Sequence, residues 1–75
     1  MMMSEIKYEI KKNLGVLSES KNMWSKEVNL ISWNDHAPKL DIRDWAPEHA
    51  RMGKGITLTK MEAKYLRDIL NGMEL

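Results

Sequence analysis

The sequence predicts an α+β fold: a four-stranded antiparallel β-sheet built as a meander, followed by one C-terminal α-helix. Three observations carry this expectation. Apolar residues alternate with polar ones through the early segments. Short runs of turn-forming residues separate those segments. The last segment opens on a helix-capping signature, and its apolar residues recur with a period near 3.6.

Residues 6–18 come first. Ile6, Tyr8, Ile10, Leu14 and Val16 share one parity, interrupted by Lys12, while Lys7, Glu9, Lys11 and Asn13 share the other. That pattern is a half-buried strand. It is long for one flat strand, so Gly15 is expected to mark a bend or bulge, and the off-parity Leu17 agrees. Ser18 to Asn22 is a polar turn. Residues 23–34 form the second strand, with Trp24, Lys26, Val28 and Leu30 on one parity and Ile31 and Trp33 on the other. Both faces carry apolar groups, so either this strand twists through a bulge or both its faces are partly covered. Asn34 to Pro38 is a turn.

Residues 39–45 form the third strand. Leu40 and Ile42 face one way, expected to build the sheet's inner face with Ile56 and Leu58, and Lys39, Asp41, Arg43 and Trp45 face the other, expected as the outer face that also carries Lys54. Pro47 ends it, and a polar loop runs from Ala46 to Met52. Gly53-Lys54-Gly55 permits unusual dihedrals or a close backbone approach, and Ile56-Thr57-Leu58 is a short fourth strand. Thr59-Lys60-Met61-Glu62 is a capping box. The helix behind it aligns Met61, Tyr65, Leu66, Ile69, Leu70 and Met73 on one stripe, with Gly72 as its C-terminal signal.

The chain has 75 residues, no cysteine and a formal net charge of +1. Residues 1–75 are read as a single domain. A domain this small is marginal alone, and without disulfides or thiolate metal sites a homodimer is the expected remedy. No leader pattern and no apolar run long enough to span a membrane is present, which makes a soluble, cytoplasmic protein the expectation. A near-neutral sum does not suggest non-specific nucleic-acid binding, although the layout of charge matters more than its total. No metal or other cofactor is expected: the two histidines, His36 and His49, lie in loops without convergent ligand spacing. No nucleophile with a patterned base is present, and so short a chain has little room for a water-excluding pocket. The protein is therefore not expected to be an enzyme.

The remaining constellation is Lys39, Arg43 and Trp45, with Lys54 nearby and Trp24 and Lys26 on the neighbouring strand. Cations that track phosphates, beside aromatic rings on which bases stack, are how single strands are held. The same residues also fit a solvated face, with Asp41 and Asp44 neutralising the cations and the tryptophans packed in a core or dimer interface. The residues alone leave both readings open.

Pro38-Lys39-Leu40-Asp41-Ile42-Arg43, then Trp45 and Pro47, then Gly53-Lys54-Gly55-Ile56-Thr57-Leu58 resembles the positive cofactor four (transcriptional coactivator) domain. The segment Ser32 to Asp35 is similar to its bacterial YdbC-type branch. The ordered set covers about two-thirds of the chain, from Trp24 into the helix. The resemblance implies a homodimer of curved four-stranded sheets with a terminal helix. It implies sequence-nonspecific binding of single-stranded DNA, in transcription regulation, replication or repair. It places the family's arginine on Arg43, its stacking tryptophan on Trp45 and its loop lysine on Lys54, and Trp24 and Lys26 fit the branch's Trp-x-Lys segment. Two departures stand out. The turn His36-Ala37-Pro38 lacks the basic, aromatic residues of eukaryotic members, and the loop before the glycines holds one cation, Arg51. These imply weaker binding or a different DNA path. The alternatives are a protein-interaction or structural dimer module and a single-stranded RNA binder.

Overall fold

Four antiparallel strands in the order β1-β2-β3-β4 are followed by one helix. The computed structural model describes residues 6–75; the segment 1–5, read above for a leader pattern, lies outside them. The elements are β1 (Tyr8–Glu19), β2 (Ser25–Trp33), β3 (Lys39–Trp45), a 3-10 turn at Pro47–His49, β4 (Met52–Leu58) and α1 (Lys60–Asn71). Among the described residues no helix is long and apolar enough to cross a membrane.

β1 pairs twelve residues against the nine of β2, with register shifts between Ile10 and Lys12, Asn13 and Gly15, and Val16 and Ser18. Lys11, Leu14 and Leu17 are therefore extra residues, each bulged out of the ladder. One irregularity was expected near Gly15, and β1 carries three, spaced three residues apart. Each bulge bends its strand and increases the local twist. Leu17 leaves the parity of the strand because it is one of the three. β2 and β3 pair without any shift, so the apolar groups on both faces of β2 reflect cover on both faces and not a bulge.

The consequence is a rolled sheet. Tyr8 pairs with Trp33 at one end of β2, and Trp45 pairs with Ser25 at the other. Eight residues of flat strand would separate those ends by roughly 26 Å. The Tyr8 and Trp45 rings nevertheless lie 5.8 Å apart, and the Arg43 guanidinium sits 5.2 Å from the Trp33 ring centre. The sheet curls until its two ends meet on one side.

That closed side is where most of the burial lies, and it is largely polar. Among the described residues the buried hydrophobic ones are Ile31, Trp45 and Ala46, beside buried Glu27, Asn29 and Asp41; Ser32, also buried, has the other parity of β2 and donates to the His36 carbonyl. This reverses the expected division of β3. The row Lys39, Asp41, Arg43, Trp45 faces into the roll, with Asp41 and Trp45 both 0% exposed. Leu40, Ile42, Ile56 and Leu58 lie on the more open face, where Ile56 is 54% exposed. Alternation showed that the two rows oppose each other but could not show which one the curl would enclose.

The Asn34–Asp35 turn has both residues at positive φ, 49° and 66°, and the His36 amide donates to the Trp33 carbonyl at 2.8 Å. This is the mirror-image turn that suits a twisted hairpin, at residue types that tolerate it. β4 begins at Met52, earlier than expected, because Gly53-Lys54-Gly55 belongs to the strand. Trp45 pairs with Met52 and Arg43 with Gly55, so two residues of β4 oppose Asp44 in a bulge. Both glycines have negative φ, and close approach is what requires them. A Cβ on Gly55 would collide with the Arg43 Cβ and the Ile42 carbonyl, and one on Gly53 would lie 2.8 Å from the Trp24 indole.

The capping box forms as expected. The Glu62 amide donates to Thr59 Oγ1 at 3.1 Å, and the Thr59 amide donates to Glu62 Oε1 at 2.9 Å. Gly72 ends the helix in a right-handed conformation, its amide shared between the Asp68 and Ile69 carbonyls. The helix lies chiefly against β3 and β4, with Ala63, Leu66 and Leu70 beside Leu40. Most of the expected stripe remains uncovered: Met61, Tyr65, Ile69, Leu70 and Met73 are exposed.

Candidate nucleic-acid interface

The six residues singled out in the sequence fall into two groups on opposite faces. Lys39, Arg43 and Trp45 belong to the rolled side. Lys39 and Arg43 line an open groove with Ile6, Trp33, Met52 and Thr57. Lys26 and Lys54 lie on the other side, flanking Ile42, Asp44 and Ile56. Trp24 sits beside Lys26 and Asp44 at the edge of that group, above a hollow lined by Ser18, Ser20 and Asn22. Register shapes this second group: Arg43 pairs with Gly55, so Lys54 falls on the parity of Ile56, away from Arg43.

Arg43 is held rather than free. Its Nε and Nη2 donate to the two carboxylate oxygens of Asp41 at 2.8 and 2.9 Å, and its Nη1 donates to the Gly53 carbonyl at 3.1 Å. Thr57 Oγ1 donates to the same Asp41 carboxylate at 2.7 Å. This bidentate geometry fixes the guanidinium plane over Trp33 and leaves its charge largely compensated. An aromatic face paired with an oriented guanidinium is a surface on which a planar ring can stack.

Lys26 is the cross-strand partner of Asp44, at 3.9 Å with both side chains close to half exposed. Such a pair is worth little and leaves the ammonium usable by a stronger anion. Lys39 and Lys54 are exposed. Trp24 is half-buried, one ring edge resting on Gly53.

Trp45 is not an open platform in this structure. Its indole stacks on the His49 imidazole, with centroids 4.5 Å apart and planes inclined by 26°, and Tyr8 closes the other approach. His49 in turn meets both oxygens of Glu27, at 2.9 and 3.1 Å. An ionised carboxylate only accepts, so His49 Nε2 carries the proton there. Ser25, Asn29 and Asn13 complete the network around Glu27. Burial pushes the Glu27 carboxyl up, but the hydrogen bonds from Ser25, His49 and Asn29, with the His49 charge, outweigh it and hold its pKa below the ordinary glutamate value. His49, read from sequence as a loop residue without ligand spacing, is thus tied into the closed side. Trp33, Tyr8 and His49 are the site residues that sequence reasoning did not place. Only the roll brings them together, and no local pattern encodes it.

A small, strongly coiled antiparallel sheet that presents indoles and cations on strand positions, with a single helix at its end, defines an open-sheet binding module. The comparisons with known proteins give that class a family. Residues 20–69 match the model of Transcriptional Coactivator p15 (PC4), which spans β2, β3, β4 and most of α1. The chain belongs to this family. It is also 53% identical over 68 residues to an uncharacterized protein of Treponema pallidum (strain Nichols), covering 91% of this chain and 80% of that one. Membership in a transcriptional coactivator family points to nucleic-acid binding as the general role.

Proposed function

We propose that this chain is a sequence-nonspecific single-stranded DNA-binding module that works as a homodimer, and that it binds without catalysing a reaction. The observation that supports this best is the groove of Trp33, Arg43 and Lys39, which joins an aromatic face to cations within the family-matched segment. Bases would stack on exposed ring faces while Lys39, Lys54 and Lys26 take phosphates. The exposed stripe of α1 and the half-covered Ile42 and Ile56 face supply the apolar area that a second copy would bury. The bacterial branch, and a role in transcription regulation, replication or repair, belong to the same reading.

A second reading, a protein-interaction or structural dimer module, is favoured by one observation: Trp45 is fully buried and Trp24 rests on Gly53. Fluorescence anisotropy with labelled oligo-dT, the matched RNA oligomer and a duplex separates the readings. Single-stranded DNA is expected to bind more tightly than duplex. RNA binding equal to or tighter than DNA would redirect the proposal to RNA, because recognition of the ribose hydroxyl is what distinguishes the two. No binding to any of the three at low salt would refute it in favour of the second reading.

A further inference from the structure

We propose that His49 stands in for a nucleobase: its imidazole occupies the face of Trp45 that a base takes when a single strand binds, and the segment 46–51 is the displaceable strap that carries it. This rests on the nucleic-acid reading above.

Four observations converge on this. The imidazole lies 4.5 Å from the Trp45 ring at an inclination of 26°, the geometry of a stacked aromatic pair. Trp45 is 0% exposed. With the ring fully covered, a base can reach the face under the imidazole only if His49 leaves it. The strap is a short loop closed at its base, with the Ala46 amide donating to the Arg51 carbonyl at 3.0 Å. Its 3-10 turn buries no residue, and Glu48 and Arg51 are exposed. Beyond Ala46, buried at the base of the loop, His49 is therefore its main anchor, through the Glu27 carboxylate and the Trp45 face. Finally, Glu48 and His49 are consecutive non-glycine residues in the left-handed region, with φ of 57° and 58°. Such a conformation persists only where surrounding contacts enforce it, and releasing His49 relieves it.

The exchange is chemically economical. A base offers a larger stacking surface than imidazole, and the strap gives up its hydrogen bonding to one carboxylate and one stack to admit it. Opening then acts as a tax on affinity that removal of the anchor abolishes.

The test uses the full chain with 5-fluorotryptophan in place of tryptophan, read by 19F NMR, beside oligo-dT anisotropy titrations. His49→Ala is expected to expose Trp45, seen as a larger solvent-isotope shift of its resonance without any oligonucleotide. It should also bind oligo-dT about tenfold more tightly, taking one charge-assisted hydrogen bond as the opening cost. Glu27→Gln keeps the shape of the side chain while weakening the anchor, and is expected to move both readouts in the same direction by less. Oligonucleotide binding that is unchanged or weaker in both variants, or a Trp45 resonance equally shielded in both, overturns the exchange alone. Exposure of Trp45 in His49→Ala with no binding by any form overturns the nucleic-acid reading and the exchange with it.

Discussion

Replacing Asp41 by Asn tests the closed side most severely. Asp41 is fully buried and accepts three hydrogen bonds, from Arg43 Nε at 2.8 Å, Arg43 Nη2 at 2.9 Å and Thr57 Oγ1 at 2.7 Å. An amide keeps the volume but loses the charge, and one of its two polar ends becomes a donor facing donors. Arg43, whose side chain is only 13% exposed, then holds an uncompensated charge. Breaking a buried pair in this way costs about 3–5 kcal/mol, and the lower end applies here because Arg43 sits at a groove mouth and can turn outward. In a domain this small each kcal/mol moves the melting temperature by about 4–8 °C, so a loss of about 12 °C or more is expected. The released guanidinium becomes a free cation, and the salt dependence of oligo-dT binding should steepen by about 0.7 in the log–log slope. Thermal melts by circular dichroism and anisotropy titrations at several salt concentrations read the two effects. A melting temperature within about 4 °C of the wild type would refute the reasoning, since it would mean the pair contributes less than about 1 kcal/mol.

Thr59→Ala removes one half of the capping box and should cost about 1 kcal/mol, read as a modest drop in melting temperature with the DNA affinity per folded protein unchanged. Gly55→Ala places a Cβ against backbone that cannot yield, the Ile42 carbonyl and Arg43 Cα among it, and is expected to destabilise by more than Gly15→Ala, whose Cβ would meet open space. Glu27 gives a pH signature: its folded pKa lies below the unfolded one, so its stabilisation is present above about pH 4.3 and is lost as pH falls through the folded value. Melting temperatures taken downward from about pH 5 should fall more steeply for the wild type than for Glu27→Gln. Ile69→Asp on the exposed helix stripe should convert a dimer to a monomer in sedimentation velocity, and an unchanged sedimentation coefficient would place the dimer contact elsewhere.

Local chemistry made much of the fold legible. The bounds of β3 follow from the alternation of residues 39–45 and the proline at 47. The start of α1 follows from Thr59 and Glu62, because a capping box is a contact between neighbours in sequence. The early start of β4 was hidden because glycine weakens a strand pattern. The division of labour between faces was less legible. Trp45 is buried by Tyr8, far away in sequence, and by His49, whose inward position depends on a left-handed turn after Pro47. Lys54 sits on the other side from Arg43 because Arg43 pairs with Gly55, a register that neither strand's own pattern reveals. Period-two reasoning separates the two faces of a strand, but curl and bulges decide which one is enclosed and which side chains meet. For the same reason the candidate cations read together from the sequence divide between two faces.

The most direct measurement is the salt dependence of oligo-dT affinity for the wild-type chain. If Lys26, Lys39 and Lys54 each neutralise a phosphate, log Kobs should fall with log salt at a slope near −2 per protomer, at about −0.7 per contact. Lys39→Ala and Lys54→Ala should each make that slope shallower by about one contact. A measurable affinity that does not change with salt would contradict the account, because it would leave these lysines without phosphates to hold.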